Sequence, residues 1–304
     1  MSGGFEVWNV GQVRITRVIE QEFDLPPHVL FGTVSNERVL ETMWLQPHYA
    51  HSDGTLRVSF HAFVLESEGR RIVIDTCGGN DKQRTFPPVN LQNHPFLERL
   101  SQAGFPTESI DYVLCTHMHV DHVGWNTRWD GSRWVPTFPN AQYLFARVEW
   151  EHWRQEEAAA GDVAPPVVGI LEANNVVADS VIPVIDAGLA RFVEMDHRIS
   201  GEVTLIPTPG HTPGHVSVAI ASAGQKALIM GDVIHHPVQL SDPDIGAVFD
   251  YDRKQARETR LAVLSDHADK DVLVLGTHFA TPSVGQIVSD STAWRFVPLK
   301  GDAT

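Results

Sequence analysis

The segment Thr116-His117-Met118-His119-Val120-Asp121-His122 concentrates three imidazoles and one carboxylate. It follows the apolar run from Tyr112 to Cys115, which is typical of a buried strand. In a strand, or in the turn after it, the first two histidines project to the same side, while the aspartate and the last histidine follow on the bend. Because clustered imidazole and carboxylate groups at a strand end suit a cation, the segment predicts a metal site.

Three further segments share this design, an apolar run that leads to a histidine or an aspartate. They are Val203 to Ile206 before His211, Ala227 to Met230 before Asp232, and Val272 to Leu275 before His278. A single histidine or aspartate at a strand end is most often a turn residue. Four such strand ends in one chain instead predict side chains that meet at one edge of the fold.

The composition is that of an acidic globular protein. The 304 residues include 38 Asp and Glu against 23 Lys and Arg, which gives a formal net charge of −15. This charge argues against a nucleic-acid partner and against a polybasic membrane contact. The longest apolar runs are strand-sized, and the first residues do not resemble a signal peptide. We therefore expect a cytoplasmic protein that acts on a small-molecule substrate and keeps Cys77 and Cys115 reduced.

Two stretches of the chain follow one plan and predict two similar β-rich halves. In residues 62–75, a strand, a turn and a second strand lead to Asp75, and residues 216–232 repeat this order up to Asp232. Helical spacing is found outside them, in residues 94–103, 147–160 and 253–269. The expected fold class is α/β, with two mixed sheets packed face to face and helices outside.

The histidines and aspartates at the four strand ends resemble the metal-binding pattern of the metallo-β-lactamase superfamily. The resemblance runs from about Phe60 to the C-terminus. The family pattern is His-x-His-x-Asp-His followed by a distant His, an Asp and a last His, and each member is present in order. The resemblance implies the αββα sandwich of that family as a single domain over residues 1–304. It also implies two metal sites: the first is held by His117, His119 and His211, the second by Asp121, His122 and His278, and Asp232 bridges them. Asp75 and His215 would support these ligands from the second shell of the site.

The resemblance implies a cofactor and a reaction as well. Histidines with aspartates suit two divalent ions, zinc first, with manganese, iron or cobalt as alternatives. The expected reaction is attack of a metal-bridging hydroxide on an ester-type carbon or on phosphorus, with Asp121 passing a proton to the leaving group. His119 argues against the redox flavodiiron branch, which has glutamate at that position of the motif.

Weaker signals favour one subgroup, the hydrolases related to methyl parathion hydrolase and to acyl-homoserine lactonases. They include the long segment before Phe60, the run Phe138 to Ala141 and the stretch Gly285 to Pro298. Three residues after the bridging aspartate, where those lactonases often carry tyrosine, this chain has His235, which either donates to the substrate carbonyl or packs beside His236. The expected aromatic walls of the substrate pocket are Trp153, Trp150, Phe31 and Phe86.

The leading hypothesis is a hydrolase of a small, largely apolar lactone, carboxylester or organophosphotriester. A β-lactamase is less favoured because those enzymes are generally exported, and a glyoxalase-type thioesterase because no basic patch lies near the C-terminus. A non-catalytic metal-binding module is the alternative from another class, and seven intact ligands argue against it. Residues 1–55 are expected to form an N-terminal extension that packs on the core or on a partner subunit, which leaves a homodimer open.

Overall fold

The computed structural model describes residues 5–160, 175–299 and 301–303. Its strands are β1 (Glu6–Val10), β2 (Val13–Leu25), β3 (Leu56–Ser67), β4 (Arg70–Ile74), β5 (Tyr112–Leu114), β6 (Thr127–Trp129), β7 (Trp134–Pro136), β8 (Gln142–Ala146), β9 (Ala190–Val193), β10 (Val203–Pro207), β11 (Val216–Ser222), β12 (Gln225–Ile229), β13 (Leu273–Leu275), β14 (Val284–Asp290), β15 (Ala293–Pro298) and β16 (Asp302–Ala303). Its α-helices are α1 (Pro27–Phe31), α2 (Asn36–Leu40), α3 (Phe96–Gln102), α4 (Arg147–Ala160), α5 (Ile182–Asp186), α6 (Val238–Ser241) and α7 (Arg253–His267). None of the helices within these ranges combines the length and the apolar character needed to cross a bilayer.

The strands form two large mixed sheets. The first has the order β16-β1-β2-β3-β4-β5-β8-β9 and the second has the order β10-β11-β12-β13-β14-β15, while β6 and β7 form a separate pair. Strands β4, β5, β8 and β9 run parallel to one another in the first sheet, as do β12 and β13 in the second. The other neighbouring strands are antiparallel.

The central strands are buried on both faces. Successive strand residues point to opposite faces of a sheet. In β4, Ile72 and Ile74 belong to the core shared by the two sheets, whereas Val73 belongs to the core beneath the helices. In β12, Ile229 belongs to the core between the sheets and Leu228 to the core beneath the helices. Two buried faces explain why these strands read as continuous apolar runs in the sequence.

Helices cover the outer faces of the sandwich. Helix α3 packs on β2 and α4 packs on β8, both in the first sheet, while α6 packs on β15 in the second. Helix α7 is capped by Asp252, whose side chain accepts a hydrogen bond from the backbone N–H of Gln255. The arrangement is the two-sheet α/β sandwich with outer helices that the sequence predicts.

The residues before Phe60 supply part of the sandwich itself. Strand β2 pairs with β3 from Arg14 opposite Glu66 to Leu25 opposite Leu56, with one irregularity between Ile19 and Gln21. Strand β1 continues the same sheet on the far side of β2, and α1 begins two residues after β2 ends. The leading segment therefore packs on the core of its own chain.

The parallel strand pairs place the candidate site. Strands β4 and β5 end side by side in the first sheet, and β12 and β13 do so in the second. The carboxyl ends of parallel strands meet at one edge of a sheet, where α/β proteins bind their ligands. The segments after these four strands carry, in chain order, Asp75, the histidine motif, Asp232 and His278.

Candidate metal centre

Three imidazoles meet at the edge where these strands end. The Nδ1 atom of His119 lies 3.0 Å from Nε2 of His117 and 2.9 Å from Nε2 of His211. All three side chains are buried. A single N–H can join only one such pair, so three converging nitrogens are better explained as ligands of one cation. The structure thus brings together the three residues that the resemblance assigns to the first metal.

A second group of donors lies beside the first. The Nε2 atoms of His122 and His278 are 3.1 Å apart. The carboxylate of Asp121 lies 3.7 Å from the first of these atoms and 3.6 Å from the second. The donor atoms of the three side chains all lie within 4.8 Å of one another. These are the residues that the resemblance assigns to the second metal.

Asp232 stands between the two groups, with one carboxylate oxygen toward each. Its Oδ2 lies 3.4 Å from Nε2 of His211 and 3.7 Å from Nε2 of His117. Its Oδ1 lies 3.1 Å from Nε2 of His278 and 3.4 Å from Nε2 of His122. This is the placement that a bridging ligand needs.

His215 supports the turn that carries Asp232. Its Nε2 accepts a hydrogen bond from the backbone N–H of Asp232 at 2.8 Å, so Nδ1 is the protonated nitrogen and donates to the carbonyl oxygen of Thr208 at 3.0 Å. Gly231 has φ 58°, and a Cβ there would lie 2.5 Å from the same His215 nitrogen. Glycine at 231 therefore allows both the turn and the close approach of the imidazole.

Asp75 supports the histidine motif in a similar way. It accepts a hydrogen bond from the backbone N–H of Thr116 at 2.7 Å, and its Oδ2 lies 3.0 Å from Nδ1 of His122. On the other side of the site, Nδ1 of His278 lies 3.2 Å from the carbonyl oxygen of Ser59. Such partners fix the orientation of imidazoles that bind a metal through the other nitrogen.

The charges of the cluster favour a cation. Burial, together with the neighbouring imidazoles, lowers the pKa values of His117 and His119 well below their usual range. Burial alone would raise the pKa of Asp232, but the imidazoles around it, led by His278, hold that pKa well below its usual range. Burial alone would lower the pKa values of His122 and His278, but the carboxylates, Asp232 first, raise both. The lowered pKa values of His117, His119 and Asp232 favour neutral imidazole and ionised carboxylate, which are the forms that bind metals. The raised pKa values of His122 and His278 show that the carboxylates attract positive charge at the second group, where a divalent ion would take the place of the protons.

His235 lies in the site, whereas its neighbour His236 does not. The Nε2 atom of His235 lies 3.2 Å from Oδ2 of Asp232, outside hydrogen-bond geometry, and its ring is nearly parallel to that of His278. Neither ring nitrogen of His235 has a hydrogen-bond partner among the described residues, and burial lowers its pKa. His236 instead approaches the carbonyl oxygen of Tyr49 at 2.8 Å. His235 therefore lines the pocket at the donors, and His236 points away from them.

An apolar pocket opens directly onto the donors. Its apolar walls are Phe23, Leu25, Leu30, Val58, Phe60, Phe86 and Phe249. Its polar end consists of His119, Asp121, His211, Asp232, His235 and His278. Phe60 packs edge to face on both Phe23 and His278. In the part of the chain that the structure describes, this lining includes no lysine or arginine.

The pocket corrects the prediction of its aromatic walls. Of the four expected residues, Phe86 lines the pocket. Trp150 stacks on Phe192 instead, and Phe31 is buried in the core while the preceding residue, Leu30, faces the pocket, because adjacent helix positions point about 100° apart. Trp153 lies behind His119, with ring centroids 5.6 Å apart.

Two residues of the pocket wall show the spacing of a strand in the sequence. Phe23 and Leu25 alternate with the exposed Asp24 at the end of β2, a spacing of two that is typical of a half-buried strand. Both residues lie in the segment expected to form an N-terminal extension on the core, and β2 carries them to the mouth of the site.

Glu149 connects the loops that carry the first group of imidazoles. Its Oε1 accepts hydrogen bonds from the backbone N–H of Met118 at 2.9 Å and from Nε1 of Trp153 at 2.7 Å. Its Oε2 accepts from the hydroxyl of Thr212 at 2.7 Å and from the backbone N–H of Gly214 at 3.0 Å. In the sequence Glu149 is one acidic residue in a charged helix, and no pattern marks it as buried.

A carboxylate behind His211 is also absent from the predicted site. Asp250 Oδ1 lies 3.0 Å from Nδ1 of His211. On its other side the Asp250 carboxylate lies 3.4 Å from the guanidinium of Arg260. Burial opposes ionisation of this carboxyl, yet the hydrogen bond and charge of His211 lower its pKa.

The chain is similar to known proteins in sequence and in fold. A family model described as the metallo-beta-lactamase superfamily matches residues 59–278, a stretch that includes all seven donors. A probable metallo-hydrolase of Mycobacterium tuberculosis is 22% identical over 262 residues, which cover 76% of this chain and 77% of that protein. The solved structure of AbOPH, a hydrolase in the beta lactamase superfamily, has a TM-score of 0.83 at 24% identity and covers 99% of both chains. That of AidC, a dizinc quorum-quenching lactonase, has a TM-score of 0.79 at 18% identity and covers 98% of both chains.

Proposed function

The chain belongs to the metallo-β-lactamase superfamily, and we propose that it is a di-metal hydrolase, with zinc as the metal, that cleaves an ester-type bond in a small, largely apolar molecule. The bond is that of a lactone, a carboxylester or an organophosphotriester. The observation that carries this proposal is an apolar pocket that opens directly onto five of the seven converging metal donors. A pocket of this kind suits a neutral substrate with an acyl or aryl group.

The donor set fits two ions. His117, His119 and His211 would hold the first, and Asp121, His122 and His278 the second, with Asp232 shared. Imidazole and carboxylate donors without a thiolate suit zinc, and accept manganese, iron or cobalt. Bound ions would supply a water of lowered pKa and polarise the oxygen of the scissile bond.

The protein's own side chains orient the substrate and move its protons. The apolar walls hold the acyl or aryl group and exclude water from the site. His235 is buried with a free ring nitrogen, so it would donate a hydrogen bond to a substrate oxygen. Asp121 is partly exposed at the polar end of the pocket, where it would pass a proton to the leaving group.

A lactone is the first substrate class to test, because AidC, whose fold this chain shares, is a dizinc lactonase. A β-lactam or a glutathione thioester carries a carboxylate, and the described pocket lining offers no lysine or arginine to meet it. These two activities are therefore the less favoured alternatives, and a non-catalytic metal-binding module is the third.

A hydrolysis screen with a chelated control tests the proposal. The metal-loaded protein would be assayed with N-acyl lactones, aryl esters and a phosphotriester, each with short and long apolar groups, and its metal content measured. We expect about two ions per chain, turnover that chelation abolishes, faster turnover of the longer groups, and loss of activity in His211→Ala. Turnover of β-lactams or thioesters alone would favour those alternatives, and metal binding without any turnover would favour the binding module.

The cytoplasmic location, the absence of nucleic-acid and membrane partners and the homodimer stay predictions. Light scattering of the purified chain would measure its mass in solution and so decide between monomer and dimer.

A further inference from the structure

The carboxylate of Asp250 lies behind the first group of imidazoles and contacts two parts of the molecule. Its Oδ1 lies 3.0 Å from Nδ1 of His211. Its Oδ2 accepts a hydrogen bond from the backbone N–H of Ala247 at 3.0 Å and lies 3.4 Å from Nη2 of Arg260. Asp250 is 4% exposed and Arg260 is 1% exposed, so water does not readily replace either partner.

Arg260 extends this contact to the turn that carries the bridging aspartate. Its Nε donates to the carbonyl oxygen of Val233 at 3.1 Å, and its Nη1 donates to that of Pro243 at 3.0 Å. Val233 directly follows Asp232 in the chain. One buried ion pair therefore contacts the imidazole of a first-site ligand and the backbone next to the shared ligand.

The same pair lies next to a wall of the pocket. Phe249, the residue before Asp250, lines the pocket and packs edge to face on Phe86, with ring centroids 6.4 Å apart. The backbone N–H of Tyr251 donates to the carbonyl oxygen of His211 at 3.0 Å. A shift of Asp250 would therefore move a pocket wall together with a ligand.

We infer that Asp250 and Arg260 are positioning residues of the metal centre. Asp250 holds His211 in the tautomer and orientation that present Nε2 to the first ion. Arg260 keeps Asp250 in place and fixes the turn at Asp232. This inference rests on the proposed metallohydrolase function, and loss of such a supporting partner costs about 10–100-fold in metal affinity.

The test is a zinc titration of Asp250→Asn in competition with a chromophoric chelator, which reports the dissociation constants of both ions. Asp252→Asn is the matched control: it removes one negative charge from the same loop, and asparagine caps a helix as well as aspartate does. We expect Asp250→Asn to bind one of the two ions about 10–100-fold more weakly and Asp252→Asn to bind both like the wild type. Equal zinc affinities in the two variants would overturn the inference.

A second variant separates metal support from folding, since Asp250→Asn leaves the guanidinium of Arg260 buried without its partner. The double variant Asp250→Asn/Arg260→Met removes the buried charges together and is expected to fold, as its urea unfolding would show. Its zinc affinity should stay low because the carboxylate is still missing, and recovery of wild-type affinity would contradict the role of Asp250. A wild-type chain that binds no zinc would instead overturn the proposed function.

Discussion

Among single residues, His235 is the proposed donor to a substrate oxygen, because it lines the pocket and is not one of the seven ligands that the family resemblance implies. We expect His235→Phe to lower kcat/KM about 10²-fold, because it keeps the ring but removes the donor nitrogens. His235→Gln keeps an N–H donor and should retain more activity. The measurement is kcat/KM of both variants with the best substrate of the screen. If the phenylalanine variant were as fast as the wild type, His235 would be a packing residue.

Asp121 combines two roles that one substitution can separate. Asparagine keeps the size of the side chain and one oxygen that can bind the second metal ion, but its amide cannot accept and release a proton at neutral pH. We expect Asp121→Asn to lower kcat by about 10²-fold or more while the zinc content falls much less. Turnover and metal content would be measured on one preparation. Full activity in this variant would contradict the proton transfer.

The residues of the site differ in how far their roles could be predicted from sequence. The four donors of the motif at 117–122 stand close together in the chain, so local spacing alone predicts a metal site. Asp250 and Glu149 stand in charged stretches without a pattern, because their burial is created by segments far away in the chain. Trp150 and Phe31 are predicted to line the pocket because they are aromatic and lie after the motif or in the leading segment, and neither property tells which way a helical residue points.

At the scale of elements, α4 holds the two ligand loops together through Glu149. The Glu149 carboxylate accepts four hydrogen bonds, two at each oxygen. In Glu149→Gln one of these oxygens becomes an amide N–H₂, which cannot accept the two hydrogen bonds that it faces. We expect the free energy of unfolding of the metal-free protein to fall by about 2 kcal/mol. Urea unfolding measures this loss, and Glu151→Gln, an exposed change on the same helix, serves as the control. Equal stability of the two variants would contradict the structural role of Glu149.

Long elements could be predicted better than short ones. The strands that precede the ligands are apolar on both faces, and the helical spacing of residues 253–269 predicts α7. Strand β2 lies before Phe60, where the family resemblance begins, so its place in the sheet does not follow from that resemblance, and α1 spans too few residues to show a helical period. These two elements supply Phe23, Leu25 and Leu30, so the substrate pocket was the least predictable part of the site.

The whole molecule follows the predicted plan: the family and the sandwich fold are confirmed by the family match and by the solved structures that cover the whole chain. One buried group gives its stability a dependence on pH. Glu20 accepts hydrogen bonds from the backbone N–H groups of Gly78 and Gly79 and from Nε1 of Trp125. Burial outweighs these donors and raises its pKa from 4.5 to about 7.

The stability falls as the pH rises, because the folded protein binds the Glu20 proton more tightly than the unfolded chain does. Between pH 4.5 and about 7 the folded protein keeps a proton on Glu20 that the unfolded chain has lost. Protonated Glu20 therefore contributes about 3 kcal/mol to the free energy of unfolding. This contribution is fully present below pH 4.5 and is lost as the pH rises to 7.

Urea unfolding at pH 5 and pH 8, with a chelator present, checks this contribution in the wild type and in Glu20→Gln. We expect the wild type to lose about 2 kcal/mol more than the variant between the two pH values. Equal losses would show that Glu20 does not titrate in this range.

The placement of Phe23, Leu25 and Leu30 has a consequence for how such a protein changes over generations. All seven metal donors stand between residues 117 and 278, whereas these three walls precede the first of them by more than eighty positions. Mutations in β2 and α1 can therefore alter substrate preference while the hydrolytic machinery is inherited unchanged. Descendants of one ancestor can therefore change their substrates without passing through an inactive intermediate. A laboratory library aimed at new substrates is best confined to residues 23–31.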